Sequence, residues 1–190
     1  CDRARGLFPC TVTGGIIKRM GNQLDPASFS TQYGVRLLTE SDIEWVFALY
    51  STNPQYFRHC GVPATREGVL RDLTLCPPGK ASEDKYFLGF FDGDKERLTT
   101  ALDLILDYPD EGTAYIGFFM VDGTRAGQGL GTALMEELFT SLKAAGFDAV
   151  RLAYEKSNPQ AARFWQKNGF FPQGEAAHEY GRIVVAHRAL

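Results

Sequence analysis

The sequence lacks an excess of positive charge and has no long apolar run. Its 190 residues carry 20 Lys and Arg against 23 Asp and Glu, a formal net charge of -3, which gives no electrostatic reason to bind a nucleic-acid backbone. No stretch approaches the roughly 20 consecutive apolar residues that a membrane-crossing helix needs. Since 44% of the residues are hydrophobic, the chain can bury a sizeable core. We therefore expect a soluble domain with no nucleic-acid or membrane partner.

Cysteine is scarce and follows no ligand pattern. Cys1, Cys10, Cys60 and Cys76 form no Cys-x-x-Cys pair and have no His at ligand spacing, so the sequence predicts neither a metal site nor a disulfide framework. A reducing compartment fits best, and we expect a cytoplasmic protein. We interpret Cys60 as a small structural thiol and not as a nucleophile.

The hydrophobic pattern divides the chain into two parts. Residues 1–33 mix small and polar residues without a sustained period, which predicts a poorly ordered extension, and residues 34–190 carry the periodic signals of one domain. Three strand-like segments within 86–121 predict a meander. A glycine-rich loop, an amphipathic helix, a strand at 149–154 and a helix at 159–168 follow. This order predicts an α/β (α+β) fold, with helices on both faces of a mixed sheet.

The glycine-rich loop over residues 122–132 reads DGTRAGQGLGT and joins a hydrophobic strand to the amphipathic helix. Backbone N–H groups at the positive end of a helix dipole suit a phosphate or pyrophosphate. The loop lacks the Lys of a P-loop and has G-x-G-x-G where a dinucleotide fold has G-x-G-x-x-G. Coenzyme A is the phosphate ligand that remains. The alternative is a glycine turn that only packs the helix on the strand.

At these residues the sequence resembles the GNAT superfamily of acyl-CoA-dependent N-acyltransferases. Residues 126–131, AGQGLG, occupy the family's Q/R-x-x-G-x-G/A signature, with Ala126 where Gln or Arg is usual and Arg125 one step earlier. Residues 158–170, NPQAARFWQKNGF, are similar to the family's N-x-x-A-x-x-[FL]-[YW]-x-x-x-G-F segment. The order of elements is similar over about residues 35–190. The Tyr108-Pro109 turn and the segment 114–122 that follows it resemble a bacterial subgroup whose members mostly have no assigned acceptor.

The resemblance implies a mostly antiparallel sheet whose fourth and fifth strands splay apart. It implies transfer of an acetyl group from acetyl-CoA to a primary amine of a small molecule or peptide by direct attack, and a dimer is common in the family. The residues implied to bind the cofactor are Phe119, Met120, Val121, Arg125, Ala126, Gly127, Gln128, Gly129, Leu130, Gly131, Thr132, Asn158, Ala161, Phe164 and Trp165. Asn158 also suits a purely structural helix cap.

An amine arrives protonated at neutral pH, so the reaction needs a proton acceptor. Asp103 interrupts an apolar strand, where a carboxylate is costly unless it is paired or faces a cleft, and we predict it as the base. The alternative is a carboxylate on an edge or solvated face. Many family members have a Tyr acid where this chain has Trp165, whose indole is no useful acid. Tyr154 and Tyr115 are the candidate acids.

The acceptor pocket is predicted from residue types in two loops. Aromatic and acidic side chains suit a cationic amine, which points to Tyr56, Phe57 and His59 after the first helix and to His178, Glu179 and Tyr180 in the last hairpin. The alternative for each is an exposed loop residue. A catalytically weak CoA- or acyl-CoA-binding module of the same fold is the alternative function.

Overall fold

The computed structural model describes residues 24–93, 97–179 and 181–190. Within them, seven strands form one sheet in the order β1-β2-β3-β4-β5-β7-β6. The strands are β1 (Gly34–Leu37), β2 (Lys85–Asp92), β3 (Arg97–Ile105), β4 (Thr113–Val121), β5 (Ala149–Glu155), β6 (Phe171–His178) and β7 (Gly181–Ala189). The helices are α1 (Ile43–Ser51), α2 (Pro54–Cys60), α3 (Arg66–Thr74), α4 (Leu130–Ala144) and α5 (Pro159–Lys167). The β4–β5 pair is parallel and the other pairs are antiparallel, which confirms the predicted mixed sheet.

The fourth and fifth strands separate part-way along their length. Their parallel pairing ends at Ile116 and Leu152, although β4 continues along β3 and β5 continues along β7. The register between β3 and β4 also shifts next to Asp103, so that Gly117 bulges out of it. A bulge bends its strand away from regular pairing, and the sheet therefore opens between β4 and β5 as the family resemblance implies.

Two hydrophobic cores cover the two faces of the sheet. Side chains alternate between the faces of a strand, so Phe119 packs on the core beneath α4 and α5, whereas Phe118 and Met120 join the core beneath α1 and α3. Both cores include side chains of β4. The two cores therefore hold β4 in place from both faces at the point where it separates from β5.

Polar caps fix where the helices begin. Before α1, Asp42 accepts a hydrogen bond from the backbone N–H of Thr39 at 2.9 Å and two from the guanidinium of Arg36. Thr65 accepts from the backbone N–H of Gly68 at 3.0 Å and caps α3. Such caps satisfy N–H groups that have no partner within a helix.

The segment before β1 packs on the domain. Phe29 is fully buried, and the Ser30 hydroxyl donates to the Glu137 carboxylate on α4 at 2.7 Å. Residues 24–33 therefore differ from the poorly ordered extension expected for residues 1–33, because one aromatic ring and a few hydroxyls hold them without any sequence period. Residues 1–23 lie outside the described part of the chain.

Candidate active site

A cavity of about 590 Å³ opens where β4 and β5 separate. Its walls are the α1–α2 turn with α2, the second half of β4, the glycine loop with the start of α4, the end of β5, and the start of α5. Ligand sites of several hundred Å³ are the normal size for small molecules and cofactors. The opening in the sheet thus joins the glycine loop to helix α2 in one space.

A buried carboxylate shapes the glycine loop. Asp122 accepts hydrogen bonds from the backbone N–H and the hydroxyl of Thr124 at 2.9 and 2.8 Å, and the Arg97 guanidinium also contacts it. Burial alone would raise the pKa of this carboxyl, but the Thr124 and Arg97 hydrogen bonds outweigh it and hold the pKa below its ordinary value. Asp122 therefore stays ionised and keeps the loop in its turn.

The loop ends at the start of the longest helix. Gly129 has φ +83°, a left-handed conformation, and a Cβ added to it would meet nothing within 4 Å. Leu130 to Thr132 line the cavity and carry no acidic side chain. The N-terminal N–H groups of α4 and the positive end of its dipole therefore adjoin open space that suits an anion.

The α1–α2 turn is fastened to the start of the same loop. The Asn53 side-chain amide donates to the Val121 carbonyl at 3.0 Å, and the backbone N–H of Gly123 donates to the Thr52 hydroxyl at 2.9 Å. A Cβ on Gly123 would lie 2.0 Å from the carbonyl oxygen of Thr52, so only glycine permits this approach. We refer to Thr52 and Asn53 as the turn clamp. Sequence analysis missed the clamp, because its bonds join residues 68 and 71 positions apart.

The residues predicted to bind the cofactor line the cavity with one exception. Gln128 is exposed and outside the cavity wall among the described residues. Asn158 caps α5 by accepting from the backbone N–H of Ala161 at 3.0 Å, and Phe119 stacks on Phe164 with ring centroids 5.8 Å apart. The lining residues from the prediction are Phe119, Met120, Val121, Arg125, Ala126, Gly127, Gly129, Leu130, Gly131, Thr132, Asn158, Ala161, Phe164 and Trp165.

The predicted catalytic residues lie in different places. Asp103 is fully buried, 2.7 Å from the Lys85 ammonium, and it is not among the described residues that line the cavity. Tyr115 is also away from the cavity wall, buried edge-on against Tyr108. Tyr154 does line the cavity, and burial raises the pKa of its phenol, which keeps the hydroxyl protonated.

The predicted acceptor residues are divided in the same way. Tyr56 and His59 line the cavity, whereas Phe57 packs on the ring of Tyr50 with centroids 5.0 Å apart. His178 contacts the carboxylate of Glu155. Tyr180 lies outside the described residues.

Sequence analysis missed Glu155 as a site residue, although it lines the cavity. Its signal was weak, since the residue ends an ordinary strand. Cys60 also lines the cavity, and burial raises the pKa of its thiol.

Comparison with known proteins identifies the domain. Residues 45–170 match the Acetyltransferase (GNAT) family. The chain belongs to this family. The match spans the glycine loop, the separated strands and all the residues that line the cavity. It confirms the resemblance stated from the sequence.

Individual relatives agree with the family. A mycothiol acetyltransferase from Beutenbergia cavernae is 36% identical over 90 residues, which are 47% of this chain and 29% of that protein. The chain thus matches less than a third of that relative's length. An acetyltransferase structure from Thermus thermophilus has a TM-score of 0.68 at 22% identity, with 84% of this chain and 97% of that chain covered. A PaiA N-acetyltransferase from Thermoplasma acidophilum, solved in complex with coenzyme A, has a TM-score of 0.60 at 16% identity and covers 83% and 99% of the two chains. At these identities the structures show a shared GNAT fold.

Two further observations concern the described residues alone. None of their helices is both long and apolar enough to cross a membrane. The same residues contain no group of three or more His, Cys, Asp or Glu side chains placed to hold a metal ion.

Proposed function

We propose that this GNAT domain transfers an acetyl group from acetyl-CoA to a primary amine of a small molecule or peptide by direct attack. One observation carries the proposal: a single cavity joins the glycine loop at the start of α4 to helix α2 through the opening between β4 and β5. A nucleotide phosphate and an amine acceptor can thus reach one reaction point from two sides of the sheet.

The residues present fit coenzyme A. The N–H groups around Gly129 and at the start of α4 would hold the pyrophosphate, because this end of the cavity is open and lies at the positive end of the helix dipole. Past Ile116, β4 no longer pairs with β5, and backbone groups on that edge face the space where the pantetheine arm would lie. Acetyl-CoA would supply the acetyl group as a thioester.

The polar groups at the opening suit acyl transfer. A backbone N–H on the unpaired edge of β4 can donate to the thioester carbonyl oxygen as negative charge develops there. The Tyr154 phenol stays protonated and can donate to the leaving sulfur. The ion pair with Lys85 and a position outside the cavity wall argue against Asp103 as the group that touches the amine.

The second candidate is a catalytically weak CoA- or acyl-CoA-binding module. Trp165 favours it, because an indole packed against Phe164 and Phe170 replaces the Tyr acid of many family members. Thiolate release needs little help near neutral pH, since an ordinary thiol has a pKa of about 8.5. Amine-dependent release of thiol from acetyl-CoA separates the two functions.

Calorimetric titration with acetyl-CoA, with dephospho-CoA and NAD as comparisons, tests the proposed site. We expect saturable binding of acetyl-CoA and none of NAD. The Gly129→Ala variant should lose about 1 kcal/mol of stability, because alanine disfavours the left-handed conformation. Its methyl group would also occupy the open space beside the loop, so we expect it to bind acetyl-CoA at least about tenfold more weakly. A protein that binds no acetyl-CoA would refute both candidate functions.

Gly79→Ala is the matched control. Gly79 has φ +80° and open space around it, as Gly129 does, and it is not among the residues that line the cavity. It should cost similar stability and leave acetyl-CoA affinity unchanged. Equal affinities for the two variants would mean that the glycine loop is not the cofactor site.

We also expect a cytoplasmic protein. The family resemblance predicts a homodimer, and light scattering tests this prediction.

A further inference from the structure

A buried acidic side chain faces the α2 side of the cavity. Glu155 ends β5 and lines the cavity, and its side chain is 6% exposed. Side chains alternate along a strand. Because Leu152 and Tyr154 pack on the core beneath α4 and α5, Glu155 faces the opposite side, towards α2.

A histidine from the last hairpin holds this carboxylate. The Nε2 atom of His178 lies 3.0 Å from Oε2 of Glu155, and the His178 side chain is 5% exposed. An ionised carboxylate is costly to bury unless a partner compensates it. The imidazole supplies that partner and connects the carboxylate to the hairpin of β6 and β7.

The wall opposite Glu155 carries groups that stay protonated. Burial raises the pKa of the Cys60 thiol, and the negative charge of Glu155 raises it further. Burial likewise raises the pKa of the Tyr56 phenol well above its ordinary value. Neither group therefore competes with Glu155 as a proton acceptor near neutral pH. The charged and titratable groups on the surrounding elements are Tyr56, Arg58, His59 and Cys60 on α2, Asp72 on α3, Tyr154 on β5 and His178 on β6.

We propose that Glu155 receives the ammonium group of the acceptor and takes its proton, with His178 as its positioning residue. The inference rests on the proposed acetyl transfer and narrows the acceptor to amines that arrive as cations. One N–H bond breaks as the proton moves to Glu155, and the freed nitrogen lone pair forms the C–N bond while the C–S bond breaks. The sulfur leaves as thiolate, with the Tyr154 hydroxyl as its hydrogen-bond donor. The nitrogen loses its second proton to solvent, and Glu155 then returns its own proton to solvent.

Two synthetic CoA thioethers test this without knowledge of the natural acceptor. S-aminoethyl-CoA carries an ammonium beside the sulfur, and S-propyl-CoA is its uncharged counterpart. A charge-assisted hydrogen bond contributes about 1.5–3 kcal/mol. We therefore expect calorimetry to show roughly 10- to 100-fold tighter binding of the cationic thioether to the wild-type protein. The Glu155→Gln variant should bind both thioethers equally.

Glu175→Gln is the matched control. Glu175 lies on β6 like His178, but it is outside the cavity wall and pairs with Lys156 and Arg182 near the surface. Its neutralisation removes the same charge from the protein and should keep the preference for the cationic thioether. A wild-type protein without this preference, or a Glu155→Gln variant that retains it, overturns the inference. If neither thioether binds the wild-type protein, the proposed function is refuted as well.

Turnover gives an independent test with any amine that the wild-type protein acetylates. Glu155→Gln should lower kcat/KM by about 100- to 10,000-fold at neutral pH. The loss should shrink as the pH rises towards about 10, where the amine loses its proton unaided. A loss that is the same at every pH would indicate a structural role only and would overturn the inference.

The role of His178 has its own readout. His178→Gln can still donate to Glu155 and should retain most of kcat, whereas His178→Leu should lose it with a smaller change in KM. Equal activity of the two variants would overturn the positioning role.

Discussion

Replacing Asp103 by Leu removes one charge of a buried pair and leaves the Lys85 ammonium, whose side chain is 4% exposed, without this carboxylate. Removing one member of a buried pair typically costs about 3–5 kcal/mol, because the other charge stays buried. For a domain of this size, each kcal/mol lowers the melting temperature by about 2–4 °C. We therefore expect a fall of roughly 6–20 °C for Asp103→Leu, and a similar fall for Lys85→Met.

The double variant Asp103→Leu/Lys85→Met should recover most of that loss, since apolar residues often replace a buried ion pair at no net cost. Thermal melts of the four proteins give the coupling energy, and thiol release measured below all the melting transitions gives their activity. We expect the double variant to remain active, because Asp103 is not in the cavity wall. A double variant as stable as the wild type but inactive would refute this reasoning and restore Asp103 as the base.

Two further predictions concern the cap before α1 and the turn clamp. Asp42→Asn should cost about 1–2 kcal/mol, measured by urea unfolding, whereas Glu44→Gln, at an exposed ion pair, should cost less than about 0.5 kcal/mol. The Arg36 hydrogen bond lowers the pKa of Asp42. The contribution of the ionised Asp42 to folding stability is therefore fully present above about pH 4, and it is lost as the pH falls through the lower pKa of the folded state. If Asp42→Asn left the acid sensitivity of the protein unchanged, this reasoning would be wrong. Gly123→Ala should weaken acetyl-CoA binding about tenfold or more, because the added Cβ would overlap the Thr52 carbonyl and displace the loop. If calorimetry shows wild-type affinity for this variant, the turn clamp does not position the loop.

Sequence patterns predicted the parts of the site that are local in the chain. The glycine loop and the start of α5 each fall within a short window, where turn chemistry, a helix cap and an apolar stripe leave a readable signal. Asn158 illustrates this, because the same residue type at the same spacing predicts the cap that the structure contains. The mixed sheet followed from the order of strand and helix signals.

The features that the sequence did not reveal depend on contacts between distant residues. Lys85 lies just before the first predicted strand segment and had no predicted role, yet the pairing of β2 with β3 brings it to Asp103. Glu155 meets His178 across 23 positions, and its place in the cavity depends on the opening of the sheet. Both the Lys85–Asp103 and Glu155–His178 contacts join segments that are apart in the chain. Charge partners and cavity-facing side chains were therefore the least predictable part of the site.

The turn clamp has a thermodynamic consequence for how two ligands would bind in the cavity. Thr52 and Asn53 precede α2 and hold the first residues of the glycine loop, so two hydrogen bonds connect the two ends of the cavity. Linkage requires that the factor by which a nucleotide changes acceptor affinity equals the factor by which the acceptor changes nucleotide affinity. We therefore expect the turn clamp to couple the two halves of the cavity, so that a ligand bound in one half changes the affinity for a ligand in the other.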